Sequence, residues 1–361
     1  MPRRTSEQVV ESFIKGWGKE GKLRSKMAAN KQRNWLLAVM LNGFARNAAK
    51  LALTDVEQAF VRAFREHGFS NDQIASFGSA YRKLPPAVRE EIFPGKFAKL
   101  SQRVGYSLAD VKEDAPTLVK ATFAMPIARD IDVDAVHAGK VRLKDVLHPP
   151  REVHRAHGSS ITRVFVPARN PPNPKYTIKA VRFECKVESG TGIGSDEVYW
   201  LFATAHSNGA RWSDSTKVWG DIDGGDRRVF PTNQGRIWGQ DGLKQDIPAG
   251  EVASVVQLVE HDEGDVSDIQ SGWNAAVVGV SGILLATGVA AWVAAVWAAV
   301  GGIVSWIIGM LDDDPIADET FSWTRQAIDD QVDKKPGSFD INRTFTDFDA
   351  EYELRIRVTR Y

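Results

Sequence analysis

The sequence predicts an α+β protein of more than one domain. An N-terminal helical bundle is followed by an antiparallel β-sandwich, and an apolar helical hairpin is inserted into the sandwich. Three observations predict this. Apolar residues up to about residue 120 recur at helical spacing. From Tyr176 onward the pattern changes to the alternation of half-exposed antiparallel strands. Between Asp268 and Asp312 there is no formal charge at all. The boundaries read as a helical domain over 1–120, a connector over 121–174 and a sandwich over 175–361, with 269–311 as the apolar insertion within it.

The helical region is assembled from short elements. Trp35, Leu36, Val39, Met40, Phe44 and Leu51 give one broad apolar face. Thr54 and Asp55 supply an N-cap for a helix that buries Val56, Phe60, Val61 and Phe64 and stops at Gly68. Ser70 opens another helix with Ile74, Phe77 and Tyr81, and the prolines Pro85, Pro86 and Pro94 punctuate the stretch after it. In the connector, Ile131–His137 and Val141–Leu147 alternate like strands, and Pro149, Pro150 and the run Pro167–Pro174 mark boundaries.

The sandwich is predicted from strands over Tyr176–Val187, Glu197–Thr204, Ala253–Val259 and Phe348–Val358, with Lys217–Trp219 and Arg228–Phe230 as a hairpin closed at Asp223, Gly224 and Gly225. The first strand, the glycine-containing loop from Glu188 to Asp196 and the strand opening with Glu197, Val198 and Tyr199 resemble the opening of a C2 domain. Val255–Asp262 is similar to a later strand of that family, which ends in an Asp-x-Asp loop. Asp313–Glu319 is similar to the family's Asp-x-Ile-Gly-Glu. The resemblance covers roughly 175–361. It implies a β-sandwich that binds calcium, a hard cation taking six to eight oxygen ligands, through Asp196, Glu188, Glu260, Asp262 and Asp314. Three departures stand against the pattern: Glu197 replaces a proline, Glu188 lies farther from Asp196 than the family's spacing, and Glu260 replaces the first aspartate of the later loop.

The apolar insert is long enough to cross a bilayer once obliquely or nearly twice as a hairpin, since a crossing needs roughly 20 apolar helical residues. Small residues recur every fourth position at Gly282, Ala286, Ala290, Ala294, Ala298 and Gly302, the spacing that lets helices approach closely in lipid. Trp273, Trp292, Trp297 and Trp306 are candidate interfacial anchors. An Ala-rich hairpin buried against the sandwich or a partner subunit is the alternative.

Composition excludes little else. Lys+Arg and Asp+Glu both number 46, which argues against a nucleic-acid binder, although the first fifty residues are strongly basic. The single cysteine, Cys185, rules out an intrachain disulfide and a cysteine-based zinc site. The N-terminus lacks a Sec signal pattern, so the expectation is cytoplasmic synthesis, non-classical export and action at a membrane. His154 and His157 read as part of a solvated linker. No enzyme signature holds: Gly190–Ser195 is flanked by strands rather than opening a helix, and Gly279–Gly282 lacks the glycine spacing of a nucleophile elbow. The expectation is therefore a non-enzyme: a membrane-targeting and membrane-inserting protein such as a calcium-dependent, pore-forming toxin or effector. Its partners would be a lipid membrane and further copies of itself. The alternatives are a structural protein whose hairpin packs in a protein interface, and a lipid-modifying enzyme with unrecognised catalytic residues.

Overall fold

In a computed structural model, residues 22–138, 140, 150–165, 175–189, 195–206, 208, 210–239, 245–246, 251–262, 266–287, 293–310, 313–324, 327–328, 336–347 and 349–361 are described. The chain is a mixture of helix and sheet, as the α+β prediction requires. It forms two compact units. One comprises 1–125 with 262–315, the other 126–261 with 316–361.

The first unit is helical. In chain order it holds α1 (Lys22–Ala29), a 3-10 turn (Lys31–Asn34), α2 (Trp35–Ala48), α3 (Asp55–Glu66), α4 (Asn71–Lys83), α5 (Pro86–Ile92), a second 3-10 turn (Gly95–Lys99) and α6 (Leu108–Phe123). Three of these starts are fixed by capping boxes. Thr54 with Glu57, Ser70 with Gln73 and Ser107 with Asp110 each satisfy two otherwise orphaned N–H groups reciprocally. The helices close over one aromatic core, in which Phe44 stands 5.0 Å from Phe64 and Phe77 stands 5.3 Å from Trp306. At the crossing of α2 and α4, a Cβ on Gly78 would lie 2.3 Å from the backbone at Phe44 and Ala45, so only glycine permits that approach.

The uncharged insert supplies the rest of this unit. The short helices α7 (Val133–His137) and α8 (Arg151–His157) fall in the second unit, and the insert forms α9 (Val266–Thr287) and α10 (Val293–Met310). In the sequence the hairpin interrupts the sandwich. In space it packs among the N-terminal helices: α9 against α3 and α10, and α10 against α1, α2, α6 and the first 3-10 turn.

The second unit contains two sheets over a shared core. The first runs β1 (Ala128–Asp132), β2 (Ser159–Phe165), β11 (Asp314–Thr324), β10 (Glu251–Glu260), β4 (Asp196–His206) and β5 (Arg211–Ser215), with β6 (Trp219–Ile222) also on β4. The second runs β12 (Gly337–Thr346), β13 (Glu351–Arg360), β3 (Lys175–Val187) and β7 (Arg227–Val229). The short strands β8 (Arg236–Trp238) and β9 (Gln245–Asp246) also lie on β3. Phe183, Trp200, Phe202, Phe345, Tyr352 and Ile356 are among the side chains from both sheets that meet between them.

Three expectations need correction. The first sheet is mixed rather than antiparallel: β1 pairs parallel with β2, and β2 parallel with β11. Both β1 and β2 come from the stretch read as connector, and parallel neighbours need a crossover in place of a hairpin, so no turn signal betrayed them. Ile131–His137 is not one strand. The Asp132 side chain accepts from the backbone N–H groups of Asp134 and Ala135 at 3.0 and 3.1 Å, capping α7 where the strand ends. The turn at Asp223–Asp226 closes no hairpin, because β6 pairs with β4 in one sheet and β7 with β3 in the other. Gly225, at φ +96°, makes the crossing between sheets. The predicted strand Val141–Leu147 lies outside the described residues.

Candidate functional site

The apolar hairpin, uncharged from 269 to 311, supplies both part of the helical unit's core and an outward face. On α10 every predicted residue turns inward: Ala294, Trp297, Ala298 and Trp306 are buried. Gly302 is buried against the first 3-10 turn, where an added Cβ would lie 2.7 Å from Asn34 Oδ1. On α9 Trp273 is buried, but Gly282 and Ala286 face outward. Ala290 and Trp292 lie outside the described residues. The every-fourth-residue stripe is thus not one seam. Its α9 half meets solvent and its α10 half lets neighbouring helices of the same unit approach. The tryptophans Trp273, Trp297 and Trp306 are core residues here rather than an exposed belt.

The outward face of α9 carries Ser271, Asn274, Val278, Gly282, Leu285 and Ala286, all partly or fully exposed. These positions recur at three- and four-residue spacing, the face on which an ordinary surface helix carries charges. None of them is charged. Leu285 is 48% exposed, and an added Cβ at Gly282 would meet nothing within 4 Å. The hairpin's hydroxyls are satisfied internally where their bonds are resolved: Ser281 Oγ donates to Val277 O at 2.6 Å and Thr287 Oγ1 to Leu284 O at 2.7 Å. Neither needs water.

A buried ion pair holds the shell around the hairpin. Glu57 is fully buried; its Oε2 accepts from Arg46 Nε at 3.0 Å and from Thr54 N at 3.0 Å, and its Oε1 accepts from Tyr106 N at 3.3 Å. The Arg46 guanidinium also donates to the carbonyls of Ala52 and Gln102. One side-chain pair therefore ties α2, the start of α3 and the loop before α6.

Of the carboxylates expected to bind calcium, Glu188, Asp196 and Glu260 fall within 126–261, and Asp262 and Asp314 within 262–315. Asp196, at the start of β4, is buried. Its Oδ1 accepts from Ser189 Oγ at 2.6 Å and from Ser189 N at 3.2 Å, and its Oδ2 accepts from the Tyr352 hydroxyl on the opposite sheet. Burial and the adjacent Asp196 carboxylate push the Tyr352 phenol far up, so it stays a donor. Glu260 joins this group through Ser189 Oγ, at 2.8 Å. Glu188 is half-buried beside Ser189. Asp262 and Asp314 belong to the other unit; Asp262 is exposed and its N–H donates to Asp313 Oδ1 at 3.3 Å, and Asp314 is half-buried. Among the described residues no group of three or more His, Cys, Asp or Glu side chains is placed to hold a metal ion. Both Asp196 oxygens are engaged by protein donors, which fits a pin between sheets better than an open ligand. Sequence reasoning did not single out Ser189 and Tyr352, the two residues that engage Asp196. The only signal for Ser189 was its place in the loop beside Glu188.

Two further groups differ from expectation. His154, on α8, is no linker residue: it is 2% exposed, its Nε2 has no hydrogen-bond partner among the described residues, and burial lowers its pKa. It lies near a buried polar network in which Arg343 pairs with Glu319 and donates to Thr162 Oγ1 at 3.0 Å, while Ser160 Oγ donates to Glu319 Oε1 at 2.9 Å. Cys185 is buried, which pushes its thiol up to about 11 and leaves it un-ionised at neutral pH.

No family model matches the chain, and no curated protein does. Solved structures that match include human GIVD cytosolic phospholipase A2 in complex with methyl gamma-linolenyl fluorophosphonate inhibitor and terbium chloride. This match has 9% identity and a TM-score of 0.23, covering 53% of this chain and 18% of that one. The same human enzyme with methyl gamma-linolenyl fluorophosphonate matches at 9% identity and a TM-score of 0.24, covering 53% and 17%. The chain thus spans less than a fifth of the proteins it matches. These matches are to an enzyme, so the expectation of a non-enzyme is withdrawn. A likeness of this size transfers no residue role or activity to the chain.

Proposed function

We propose that this protein acts on lipid membranes, carrying an apolar hairpin sheltered within a helical unit and releasing it into a bilayer. The carrying observation is the outward face of α9 from Ser271 onward, which bears no charge after Asp268 in the helix's first turn. A helix selected only as core would gain solubility from Lys or Glu at positions 271, 274, 278, 282, 285 or 286 without disturbing the interior; none stands there. Two helices of 22 and 18 residues are also long enough to cross a hydrocarbon core of about 30 Å. Apart from Asp268 in the first turn of α9 they carry no charge, and the Ser281 and Thr287 hydroxyls bond within their own helix, as lipid demands of polar groups. Conditional inserters of this kind include membrane-damaging toxins and effectors, and release of this hairpin by several copies together would permeabilise the target. In this reading the second unit is a β-sandwich resembling a C2 domain, and the protein is made in the cytoplasm and acts at a membrane.

The burial of α10 answers to the competing reading, that the hairpin is only core. Vesicle leakage separates the two. Purified protein is mixed with dye-loaded phosphatidylcholine–phosphatidylserine vesicles while an environment-sensitive fluorophore reports from Leu285→Cys. Leakage with a lipid-phase blue shift is expected. Absence of both under all conditions that loosen the helical unit short of unfolding would leave the hairpin as core.

A further inference from the structure

Resting on the membrane reading, we infer that the helical unit docks on anionic lipid through a tip made of two loops, residues 49–52 and 101–105, at the end of the unit toward which the last described turn of α9 runs. The loops run side by side, because Arg46 donates to the carbonyl of Ala52 in one and of Gln102 in the other, and Thr54 Oγ1 donates to Tyr106 O at 2.7 Å. Each presents a cation followed by an aliphatic side chain: Lys50 and Leu51 in the first, Arg103 and Val104 in the second. Leu51 is 41% exposed and Val104 72%. Among the described residues no ion pair engages Lys50 or Arg103.

The backbone of the first loop shows that this presentation is imposed. α2 ends in a Schellman turn: Leu51 N donates to Arg46 O and Lys50 N to Asn47 O, both at 3.0 Å. Lys50 holds φ +57°, a left-handed conformation for which glycine is the favoured residue. The apolar residue after that position commonly folds back on its helix. Here Leu51 instead projects into solvent beside a lysine. The acids at this end do not cancel the cations freely. Asp55 Oδ1 accepts from Val56 N at 2.8 Å and Leu108 N at 2.9 Å, and Asp110 Oδ2 accepts from Ser107 N at 2.7 Å, so both carboxylates neutralise the positive starts of α3 and α6.

The hairpin reaches the same end. A Cβ on Gly272 would lie 3.6 Å from Phe69, just past the C-terminus of α3, and one on Gly279 would lie 2.7 Å from Phe60 within it. α9 therefore runs antiparallel to α3, and its last turn, with exposed Leu285 and Ala286, points to the end of α3 where Leu51 and Val104 project. Docking by the two loops brings the last described turn of α9 toward the lipid surface. Basic side chains select anionic headgroups, and the aliphatic ones enter the interfacial layer.

The test uses the full chain and co-sedimentation with phosphatidylcholine vesicles with and without phosphatidylserine. The wild type should bind the anionic vesicles preferentially. Lys50→Glu with Arg103→Glu should weaken that binding by about fivefold or more per position, since each basic residue near such a surface contributes on that order. Leu51→Asp with Val104→Asp should weaken it by about tenfold or more, through loss of apolar burial. Val229→Asp, at a residue 71% exposed on the second unit, is the control and should bind as wild type. Melting temperatures confirm that all variants fold. Wild-type binding by both tip variants, or weakening by Val229→Asp instead, would overturn the docking tip. If leakage then persists, the membrane reading stands without it. If the wild type binds no vesicle, both fall.

Discussion

Arginine in place of Val278 puts a charge near the middle of α9 while leaving the interior of the helical unit alone. Val278 lies on the outward face, half-exposed, and a long side chain there lays its stem along the helix and its head in water. The expected change in folding stability is within about 0.5 kcal/mol, as for other surface substitutions. Position 278 lies about 18 Å along a helix about 33 Å long at 1.5 Å per residue, so in an inserted hairpin it falls near the bilayer centre. A charge there costs about 2.5–3.5 kcal/mol, which shifts the insertion equilibrium roughly 70- to 400-fold. The assay is dye release at fixed protein-to-lipid ratio, with Val278→Leu as the volume-matched apolar control and circular dichroism to confirm folding. Val278→Arg should lose leakage and Val278→Leu keep it. Should Val278→Arg itself lower the melting temperature, Gly282→Arg carries the charge one turn on, at a site where an added Cβ meets nothing within 4 Å. Folded arginine variants that release dye as fast as Val278→Leu would refute the insertion argument.

Glu57→Gln breaks the buried pair that ties α2, α3 and the loop before α6, and should destabilise the helical unit by about 3–5 kcal/mol in urea unfolding, because Arg46 then keeps a buried charge without its counter-ion. His154 is held neutral by burial, with Glu319 opposing that and Arg343 reinforcing it. Its folded pKa is thus depressed below the unfolded value of about 6.5. The stability it contributes is complete above that value and is lost as pH falls through the folded one, with a slope of at most about 1.4 kcal/mol per pH unit. A His154→Phe variant should flatten the acid side of the stability curve; an unchanged slope would exclude His154 as its origin. Asp196→Asn should lower stability by about 1.5–3 kcal/mol, the range for hydrogen bonds to a charged group, and by the same amount in calcium and in chelator. A calcium-induced rise in melting temperature that the variant abolishes would instead make Asp196 a metal ligand.

What the sequence made legible was local. Thr54 and Glu57, or Ser70 and Gln73, are three residues apart, and a capping box closes within one turn whatever the rest of the chain does. The strands β3, β10 and β13 announced themselves by composition and alternation. What stayed hidden was pairing at a distance. β2 sits beside β11, which lies about 150 residues away in the chain, and neither carries a turn that would give the partnership away. Asp196 stands in a stretch whose sequence resembles a metal site, but in the fold it opens β4, and Ser189 together with Tyr352, which arrives from the other sheet 156 positions later, engages its oxygens.

The hairpin shows how far one observation can be carried at each level. Its lack of charge over residues 269–311 is plain in the sequence, and by itself is compatible with a buried core or with lipid. The fold divides those residues into two classes. Ala294, Trp297, Ala298 and Trp306 face inward, and for them the lack of charge is explained by the helices packed on them. Val278, Gly282, Leu285 and Ala286 face outward, where burial explains nothing. A lysine or glutamate at any of those four would be accommodated by water and would oppose entry into a bilayer. The membrane reading therefore rests on the outward minority of the hairpin, which is why substitutions there, rather than in the core, are the ones that test it.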